Sequence, residues 1–493
     1  MKKRMITINQ MRMMRKKKIN SIEPKLSILL FFISAFWLTG VFSQNKVIYK
    51  YAVYFVDKDL SKLSTPSALL SKKTLEKRKK LGIAIGKDDI PVNPKYIQQI
   101  LTLRGDITLH GSSKWKNCIV IESLDSIPSS SFEKFSFVQS SSCIFKGKEP
   151  KSTSSRQVTI PSYTKSDKLT PGILKKSDYG QTQVQSSMLN LPFLHNKKLW
   201  GQKIHVAVFD GGFQNVDTIQ SFKHLYAGNR ILHVYDYASR EKDVYGDGDH
   251  GTRVLACMAG YVKGKYLGNA PLAFYSLFRT EDANSETIVE EYNWLFAAEF
   301  CDSAGVDVIN SSLGYTKFDK DQPTDYSYNF SKLNGNTGIA SFAANMASSK
   351  GILVCNSAGN SGNDSWKFIG VPADADGIFS VGAVDKSKNK AGFSSFGPTS
   401  DNRVKPTICA MGVNASVISG AGRITSSNGT SFSSPIFCSA LVCLYQKFPS
   451  LPPSNFIQAI QSSASNSSNP NASIGYGIPD FEKAFNYLSN RPK

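Results

Sequence analysis

The chain contains 493 residues, which is long for one hydrophobic core and predicts two folded units in addition to processing segments. Its formal charge of +21 is unevenly distributed, because residues 1–43 carry +8, residues 44–185 carry +12 and residues 186–493 carry only +1. The largest segment is therefore almost neutral, and the basic composition does not indicate a polyanionic partner. We expect no nucleic-acid binding.

The amino terminus has the three parts of an export signal. The basic run MRMMRKKK precedes the apolar stretch ILLFFISAFWL at 28–38, and small residues up to Ser43 follow it. A membrane anchor is the alternative, but a span needs about 20 apolar residues, more than this stretch provides. The sequence predicts a cleaved signal peptide over 1–43, no other membrane contact, and a secreted or periplasmic protein.

The next segment, 44–146, predicts a small α+β unit. The β-branched and aromatic residues of 47–57 indicate a strand, and the segment that follows has apolar residues at helical spacing with a basic outer face. A helix (PKYIQQILTLRG), a strand (NCIVIES), a short helix (SIPSSSFEKF) and a strand (FVQSSSCIF) complete the unit. Over 147–185, a Ser-, Thr-, Lys- and Pro-rich composition without periodicity predicts an exposed linker.

Residues 186–493 alternate short apolar strands with helical stretches. Examples are KIHVAVFD, HGTRVLACMAG, YSLFRT, VDVINSSLG and ILVCNSAGN. This alternation predicts an α/β fold with a doubly wound parallel sheet that is covered by helices on both faces. In such sheets the functional residues lie at the carboxyl ends of the strands.

The eight cysteines are widely spaced and form neither a CxxC pair nor a cluster with histidine. This spacing predicts no zinc site, and it does not reveal a disulfide framework. Cys355, Cys438 and Cys443 lie in apolar runs, where a thiol acts as a small core residue.

Two polar residues stand at element boundaries of the α/β unit. Asp210 ends the strand IHVAVFD, and Gly211 and Gly212 allow an immediate turn. His250 opens the predicted helix HGTRVLACMAG, and none of the other histidines has this context. Each residue alone has an ordinary structural explanation, a turn residue for Asp210 and a core histidine for His250.

Two further polar residues stand at comparable positions. Ser431 opens SFSSPIFCSALVCLYQKF, which is apolar nearly all round and predicts a buried helix. The hydroxyl is either an N-cap or a nucleophile at the positive end of the helix dipole. Asn360 follows the strand ILVCNS and is either a turn residue or a neutral donor to an oxyanion.

Together these motifs resemble those of the subtilisin-like serine proteases, the peptidase S8 family. They occur in the order Asp, His-Gly-Thr, Ala-Gly-Asn and Gly-Thr-Ser, with Pro435 four residues after the serine. The resemblance extends over about 200–485 and implies a Ser-His-Asp triad on a subtilisin-like sheet. It implies that Asp210 orients the imidazole, His250 takes a proton from Ser431, and Ser431 attacks the substrate carbonyl.

The same resemblance implies the groups around the triad. Asn360 and the backbone amide of Ser431 are expected to form an oxyanion hole. The segment INSSLG matches the substrate strand of the family, so Ser312, Leu313 and Gly314 are expected to offer backbone groups to an extended polypeptide.

The 44–146 unit resembles the prodomain of a bacterial subfamily through PVNPKYI and SKWKNCIVIE. The resemblance therefore implies a serine endopeptidase that is made as a precursor, acts on polypeptides and is expected to be a monomer. The segment 315–338 resembles an insertion beside the substrate strand. Family members often bind calcium, and Asp374, Asp376 or the acids of 318–325 are candidates, but no loop has a recognisable ligand spacing and no cofactor is predicted to be required.

Two departures from the commoner family sequences are DGG after Asp210 and SFSSP at Ser431, and neither removes a proton-carrying group. Two other functions remain open. An inactive binding protein with the same fold is disfavoured because all four motif residues are retained. An esterase is disfavoured because Ser431 lacks the Gly-x-Ser-x-Gly context and the order of the motif residues differs.

Overall fold

The structure of the protein is a computed structural model that describes residues 47–148, 169 and 171–491. The predicted signal peptide and most of the predicted linker lie outside these residues. No helix in the described ranges is both long and apolar enough to cross a membrane. We call residues 47–148 the leader unit and residues 171–491 the main unit.

The leader unit contains a four-stranded antiparallel sheet with strand order β2-β3-β1-β4. Its strands are β1 (Val47–Phe55), β2 (Thr108–Ser113), β3 (Cys118–Ser123) and β4 (Val138–Lys148). The helices are α1 (Lys72–Leu81), α2 (Pro94–Leu101) and α3 (Ser130–Glu133), with 3₁₀ turns at Leu60–Ser64, Pro66–Ala68 and Lys87–Asp89.

Both faces of the leader sheet are buried. On β3, Ile119 and Ile121 point into the core of the leader unit, whereas Cys118 and Val120 join a core that includes helices of the main unit. This alternation follows from the two-residue period of a strand. It explains why all of β3 is buried.

The main unit is built on a seven-stranded sheet with strand order β13-β12-β11-β10-β5-β9-β6. All neighbouring strands of this sheet run parallel, which confirms the predicted α/β fold class. The strands are β5 (His205–Asp210), β6 (Ile231–Asp236), β9 (Phe274–Arg279), β10 (Val308–Ser311), β11 (Leu353–Ser357), β12 (Phe379–Val384) and β13 (Ile408–Met411). Short antiparallel pairs are β7 (Tyr261–Val262) with β8 (Tyr266–Leu267), and β14 (Ala415–Ile418) with β15 (Ile424–Ser427).

Helices cover both faces of this sheet, in two separate hydrophobic cores. One core includes α7 (His250–Ala259) and α10 (Thr430–Lys447), and the other includes α8 (Ile288–Ala304) and α9 (Ile339–Ser349). As the sequence predicts, α10 is buried all round, from Thr430 to Tyr445. The remaining helices are α4 (Gln183–Met188), α5 (Leu191–Asn196), α6 (Lys223–Ala227), α11 (Pro453–Ser463) and α12 (Phe481–Ser489), with 3₁₀ turns at Lys176–Tyr179, Gln220–Phe222 and Phe330–Lys332.

The end of the predicted linker is folded. A 3₁₀ turn covers Lys176–Tyr179 and α4 begins at Gln183, although both lie within the 147–185 segment. Tyr179 is 1% exposed, and its hydroxyl lies 2.7 Å from Nδ1 of His195. The packed structure of the main unit therefore starts several residues before position 186, because one buried tyrosine anchors this segment.

Candidate active site

Three of the predicted site residues lie at the carboxyl edge of the main sheet. Asp210 is the last residue of β5, His250 is the first residue of α7, and Ser431 is the second residue of α10. Asp210 reaches this edge at the end of a parallel strand, whereas Ser431 follows β15 of the antiparallel pair of β14 and β15. An open cleft of about 400 Å³ is lined by His250, Ser431, Asn360 and Phe432, among others.

The carboxylate of Asp210 is directed at the imidazole of His250. Oδ1 of Asp210 lies 2.7 Å from Nδ1 of His250 and also accepts a hydrogen bond of 2.9 Å from the Gly211 amide. Asp210 is fully buried, while the side chain of His250 is 44% exposed. The short contact fixes the ring and selects the tautomer in which Nε2 is free to accept a proton.

The turn after Asp210 requires glycine at position 212. Gly212 has a φ of +149°, and a Cβ there would lie 2.2 Å from the carbonyl oxygen of Asp247. Its own carbonyl accepts a hydrogen bond of 2.9 Å from Gly251, the second residue of α7. The DGG sequence thus ties the end of β5 to the start of the helix that carries His250.

Two opposing influences set the pKa of His250. Desolvation of the ring lowers it, whereas the charge of Asp210 and its hydrogen bond raise it, with smaller contributions from Glu281 and Asp249. The net result is a pKa above the usual value of 6.5. The ring is therefore better able to hold a proton than an isolated imidazole.

Ser431 is held at the start of α10 but not against the imidazole. Its Oγ lies 3.4 Å from the carbonyl oxygen of Ser312, which is long for a hydroxyl hydrogen bond. Among the described residues, no hydrogen bond joins this hydroxyl to Nε2 of His250. Such contacts in ligand-free active sites are often loose and shorten when a substrate binds.

Pro435 and Ser312 together fix the backbone at Ser431. A proline inside a helix cannot donate to the carbonyl four residues earlier, which here is the carbonyl of Ser431. The hydroxyl of Ser312 takes over as the donor, at 3.0 Å. The family resemblance implies a role only for the backbone groups of Ser312, so this side-chain contact adds a role that no sequence motif indicates.

Asn360 is exposed in the loop after β11, with its amide oriented by Thr430. Oδ1 accepts hydrogen bonds from the backbone amide of Thr430 at 2.9 Å and from its hydroxyl at 3.0 Å. The Nδ2 donor lies on the opposite side of the amide and has no partner within the described part of the chain. The cleft therefore has a neutral donor beside Ser431.

The three predicted substrate-strand residues follow β10, but their backbone groups are not equally free to form hydrogen bonds with an added strand. The carbonyl of Leu313 accepts a hydrogen bond of 2.9 Å from Nδ2 of Asn356, so one of its backbone groups is already engaged. Gly314 is exposed, whereas Ser312 is 5% exposed. Gly314 is the best placed of the three to pair with an added strand.

The two aspartates suggested for calcium, Asp374 and Asp376, both contact other protein groups. Both oxygens of Asp374 accept hydrogen bonds, from the Ser341 hydroxyl and the Gly335 amide, and Asp376 lies 3.8 Å from Arg403. In the described ranges no group of three or more His, Cys, Asp or Glu side chains converges as metal ligands would. All eight cysteines have free thiols.

Comparisons with known protein families give two matches that divide the chain as the fold does. The model of the subtilase family matches residues 201–477, which is more than half of the chain. The model of the peptidase S8 propeptide domain of Bacteroidota matches residues 50–159.

The parallel sheet with helices on both faces belongs to the α/β fold class. The chain belongs to the subtilase family, a family of serine-type endopeptidases, and has an amino-terminal propeptide domain before its subtilisin-fold domain.

Curated relatives and a solved structure are similar to parts of the chain. Subtilisin NAT from Bacillus subtilis subsp. natto is 29% identical over 291 residues, which cover 58% of this chain and 66% of the relative. Subtilisin DY from Bacillus licheniformis is 32% identical over 221 residues, which cover 44% of this chain and 70% of the relative. A solved structure of the MycP3 protease from the type VII (ESX-3) secretion system has 20% identity and a TM-score of 0.48, over 64% of this chain and 90% of that one.

Proposed function

We propose that the protein is an exported serine endopeptidase that hydrolyses polypeptides with Ser431 as its nucleophile. The observation that carries this proposal is the 2.7 Å contact between Asp210 and His250, in a cleft that Ser431 also lines. A buried carboxylate on Nδ1 leaves Nε2 as the acceptor that a serine nucleophile needs. The retention of all three groups favours catalysis over a role in binding alone.

The first step transfers a proton and forms one bond. As Oγ of Ser431 bonds to the scissile carbonyl carbon, its proton passes to Nε2 of His250. The imidazolium is stabilised by Asp210, which stays ionised. His250 then donates the proton to the leaving amine, the C–N bond breaks, and water repeats the sequence to release the acid and restore the hydroxyl of Ser431.

Negative charge on the carbonyl oxygen is stabilised by Asn360 and by the start of α10. Nδ2 of Asn360 and the backbone amide of Ser431 are the proposed donors, and the positive end of the helix dipole acts in the same sense. Thr430 holds the amide of Asn360 before substrate arrives, so little reorganisation is needed when the oxyanion forms. A neutral donor serves this purpose without forming an ion pair in the ground state.

The proposed substrate is an extended polypeptide that pairs with the backbone at Ser312, Leu313 and Gly314. We further propose that residues 1–43 direct export, that the leader is removed within 147–185, and that 186–493 contains the mature peptidase. The calcium found in some relatives has no part in this proposal.

A fluorophosphonate probe tests the proposed nucleophile, because it reacts with serines that are activated by a neighbouring base. We expect one adduct in the mature protein, and peptide mapping should place it on Ser431. Activity towards casein together with little activity towards short-chain esters would support a peptidase over an esterase. A protein that binds peptides but forms no adduct would be an inactive member of the fold.

A further inference from the structure

The cleft beside Ser431 contains a charged pair that the proposed mechanism does not use. Arg253 and Asp249 line this cleft of about 400 Å³ together with His250 and Ser431, among others. Asp249 directly precedes α7 and Arg253 lies four residues later, so the two side chains meet on one side of the helix. They are 28% and 30% exposed, respectively. A molecule in the cleft can therefore contact both.

The guanidinium group of Arg253 is held in a fixed orientation. Nε donates to Oδ1 of Asp249 at 3.0 Å, and Nη2 donates to Oδ2 at 2.8 Å. Nη1 donates to the hydroxyl of Ser427 at 3.1 Å. Because the group is planar and already has three contacts, it has little conformational freedom left to lose when a ligand binds.

Arg253 has two donors that these contacts leave over. A guanidinium group carries five N–H donors, and the three hydrogen bonds use one each on Nε, Nη1 and Nη2. Nη1 and Nη2 therefore each keep one N–H for which the described part of the chain provides no acceptor. Both oxygens of Asp249 are engaged, and the amide of Gly420 also donates to Oδ2 at 3.1 Å. The pair thus offers donors to a ligand.

A second free donor lies on the same wall of the cleft. Oδ1 of Asn428 accepts a hydrogen bond of 2.7 Å from the amide of Asn414. Asn428 is exposed and lines the cleft, and its Nδ2 has no partner within the described ranges. The start of α10 adds the positive end of a helix dipole. These donors favour a ligand with acceptor oxygens, and a carboxylate matches the planar guanidinium group best.

The position of this wall relates it to the leaving part of the substrate. None of the proposed substrate-strand residues 312–314 lines the cleft. Because the polypeptide before the scissile bond is proposed to pair with that strand, the polypeptide after the bond should leave on the other side of Ser431, along Arg253 and Asn428. His250, the proposed proton donor to the leaving amine, lines the same cleft.

We propose that Arg253, assisted by Asn428, is a specificity-determining residue that binds a carboxylate in the part of the substrate that follows the scissile bond. The carboxylate belongs either to an Asp or Glu side chain or to the carboxyl terminus of the substrate. This inference rests on the proposed peptidase function. It adds a preference on the side of the substrate that the backbone groups of 312–314 do not contact.

Internally quenched peptides that differ only after the scissile bond test the subsite. One set compares Asp with Asn at each of the first few positions after the bond, always with an amidated carboxyl terminus. A second set has only neutral side chains there and compares a free with an amidated carboxyl terminus. We expect the mature wild type to cleave the carboxylate member of one pair with a kcat/KM about 3- to 10-fold higher, since a partly exposed ion pair contributes modestly. The set that shows the difference identifies the source of the carboxylate.

Arg253→Gln should reverse this preference. The change removes the donors and leaves the charge of Asp249 in the cleft without its partner, so the ratio of carboxylate to amide peptide should fall below one. Arg423→Gln is the matched control, because it removes the same charge from an exposed position between β14 and β15 that does not line the cleft. This control should keep the wild-type ratio.

Two further measurements keep the test decisive if Arg253→Gln does not fold. Asn428→Ala removes one donor from an exposed side chain and should lower the ratio without reversing it. In the wild type, the ratio should approach one in about 1 M sodium chloride, because mobile ions screen a partly exposed ion pair. A ratio that neither change alters would overturn the assignment.

The outcomes separate this inference from the proposed function. Cleavage of both peptide sets with ratios near one in the wild type, or with the same ratio in the wild type and in Arg253→Gln, would overturn the subsite and leave the peptidase intact. An equal loss of preference in Arg423→Gln would also overturn it, in favour of a diffuse positive field. No cleavage of any peptide by the mature wild type would instead contradict the peptidase function itself.

Discussion

The contact between Asp210 and His250 determines how activity should depend on pH. A general base must be neutral, so kcat/KM should rise as pH increases through the pKa of His250. Because Asp210 holds that pKa above 6.5, the midpoint of the rise should also lie above 6.5. A pH–rate profile of the mature protein on a peptide that has no ionisable side chain measures this midpoint.

Asp210→Asn provides the matched comparison. The amide keeps the size of the side chain but removes the charge that stabilises the imidazolium, so the midpoint should move to lower pH. The rate itself should fall by about 10⁴, the size of the loss for the equivalent change in a trypsin triad. A profile that is flat from pH 5 to 9 in the wild type, or a midpoint that Asp210→Asn does not move, would contradict the assigned base.

Individual site residues could be predicted where a short motif fixes them. Asp210, His250, Asn360 and Ser431 lie at element boundaries that the sequence marks, and the structure brings all four to one edge of the sheet. The contact made by the hydroxyl of Ser312 could not be predicted, because its partner lies 119 residues away along the chain.

At the scale of elements, α1 of the leader unit is attached to α8 of the main unit by buried charges. Arg78 is 1% exposed and contacts Asp89 at 2.8 Å and Asp302 at 2.6 Å. Removing this cation leaves buried Asp302 paired only with Lys114, at 2.8 Å, and buried Asp89 only with Lys350, at 3.8 Å. Arg78→Met should therefore lower the free energy of unfolding by about 3 to 5 kcal/mol, as measured by urea denaturation of the Ser431→Ala precursor.

Arg104→Met is the control for this prediction. Arg104 also pairs with a carboxylate, Asp106 at 2.6 Å, but its side chain is 37% exposed. Because solvent screens this exposed pair, Arg104→Met should lower the free energy of unfolding by only about 0 to 1 kcal/mol. Similar small losses in the two variants would show that the buried charges do not hold α1 against α8.

Elements with strong periodicity could be predicted, whereas elements stabilised by tertiary contacts could not. Helix α10 and strand β10 follow directly from their apolar residues. Strand β2, TLHGSS, has polar residues and a glycine, and it forms because it pairs with β3. Beside β2, the side chain of Glu299 accepts hydrogen bonds from the amides of Lys114 and Trp115, at 2.7 and 3.1 Å. No local sequence pattern indicates such contacts, so β2 could not be predicted from the sequence.

At the scale of the whole molecule, the leader unit covers one face of the main unit. If the leader is removed during maturation, the main unit has to remain folded with that face uncovered. We expect the wild type to accumulate a form of at least about 34 kDa, since 186–493 contains 308 of the 493 residues, the full chain is 54.2 kDa, and the packed turn at Lys176–Tyr179 favours a cut before it. Ser431→Ala should stay at the length of the precursor without its signal. Intact-mass spectrometry of both secreted proteins measures the two lengths.

The two lengths also show whether the protein or another protease removes the leader. Cutting at the same place in both proteins would assign processing to another protease and would leave the peptidase proposal standing. A wild type that is active and retains the leader would contradict its assignment as a removable prodomain. In that case residues 47–148 would be a permanent domain.

Steady-state cleavage of a fluorogenic peptide is the direct test of the proposal that Ser431 supplies the nucleophile for peptide hydrolysis. The comparison uses purified wild type and Ser431→Ala, each freed of its leader by an added protease. We expect kcat to fall by about 10⁶ in the variant, the loss known for the equivalent serine of subtilisin, while urea denaturation shows an unchanged fold. Undiminished hydrolysis by a folded, contaminant-free Ser431→Ala protein would contradict it.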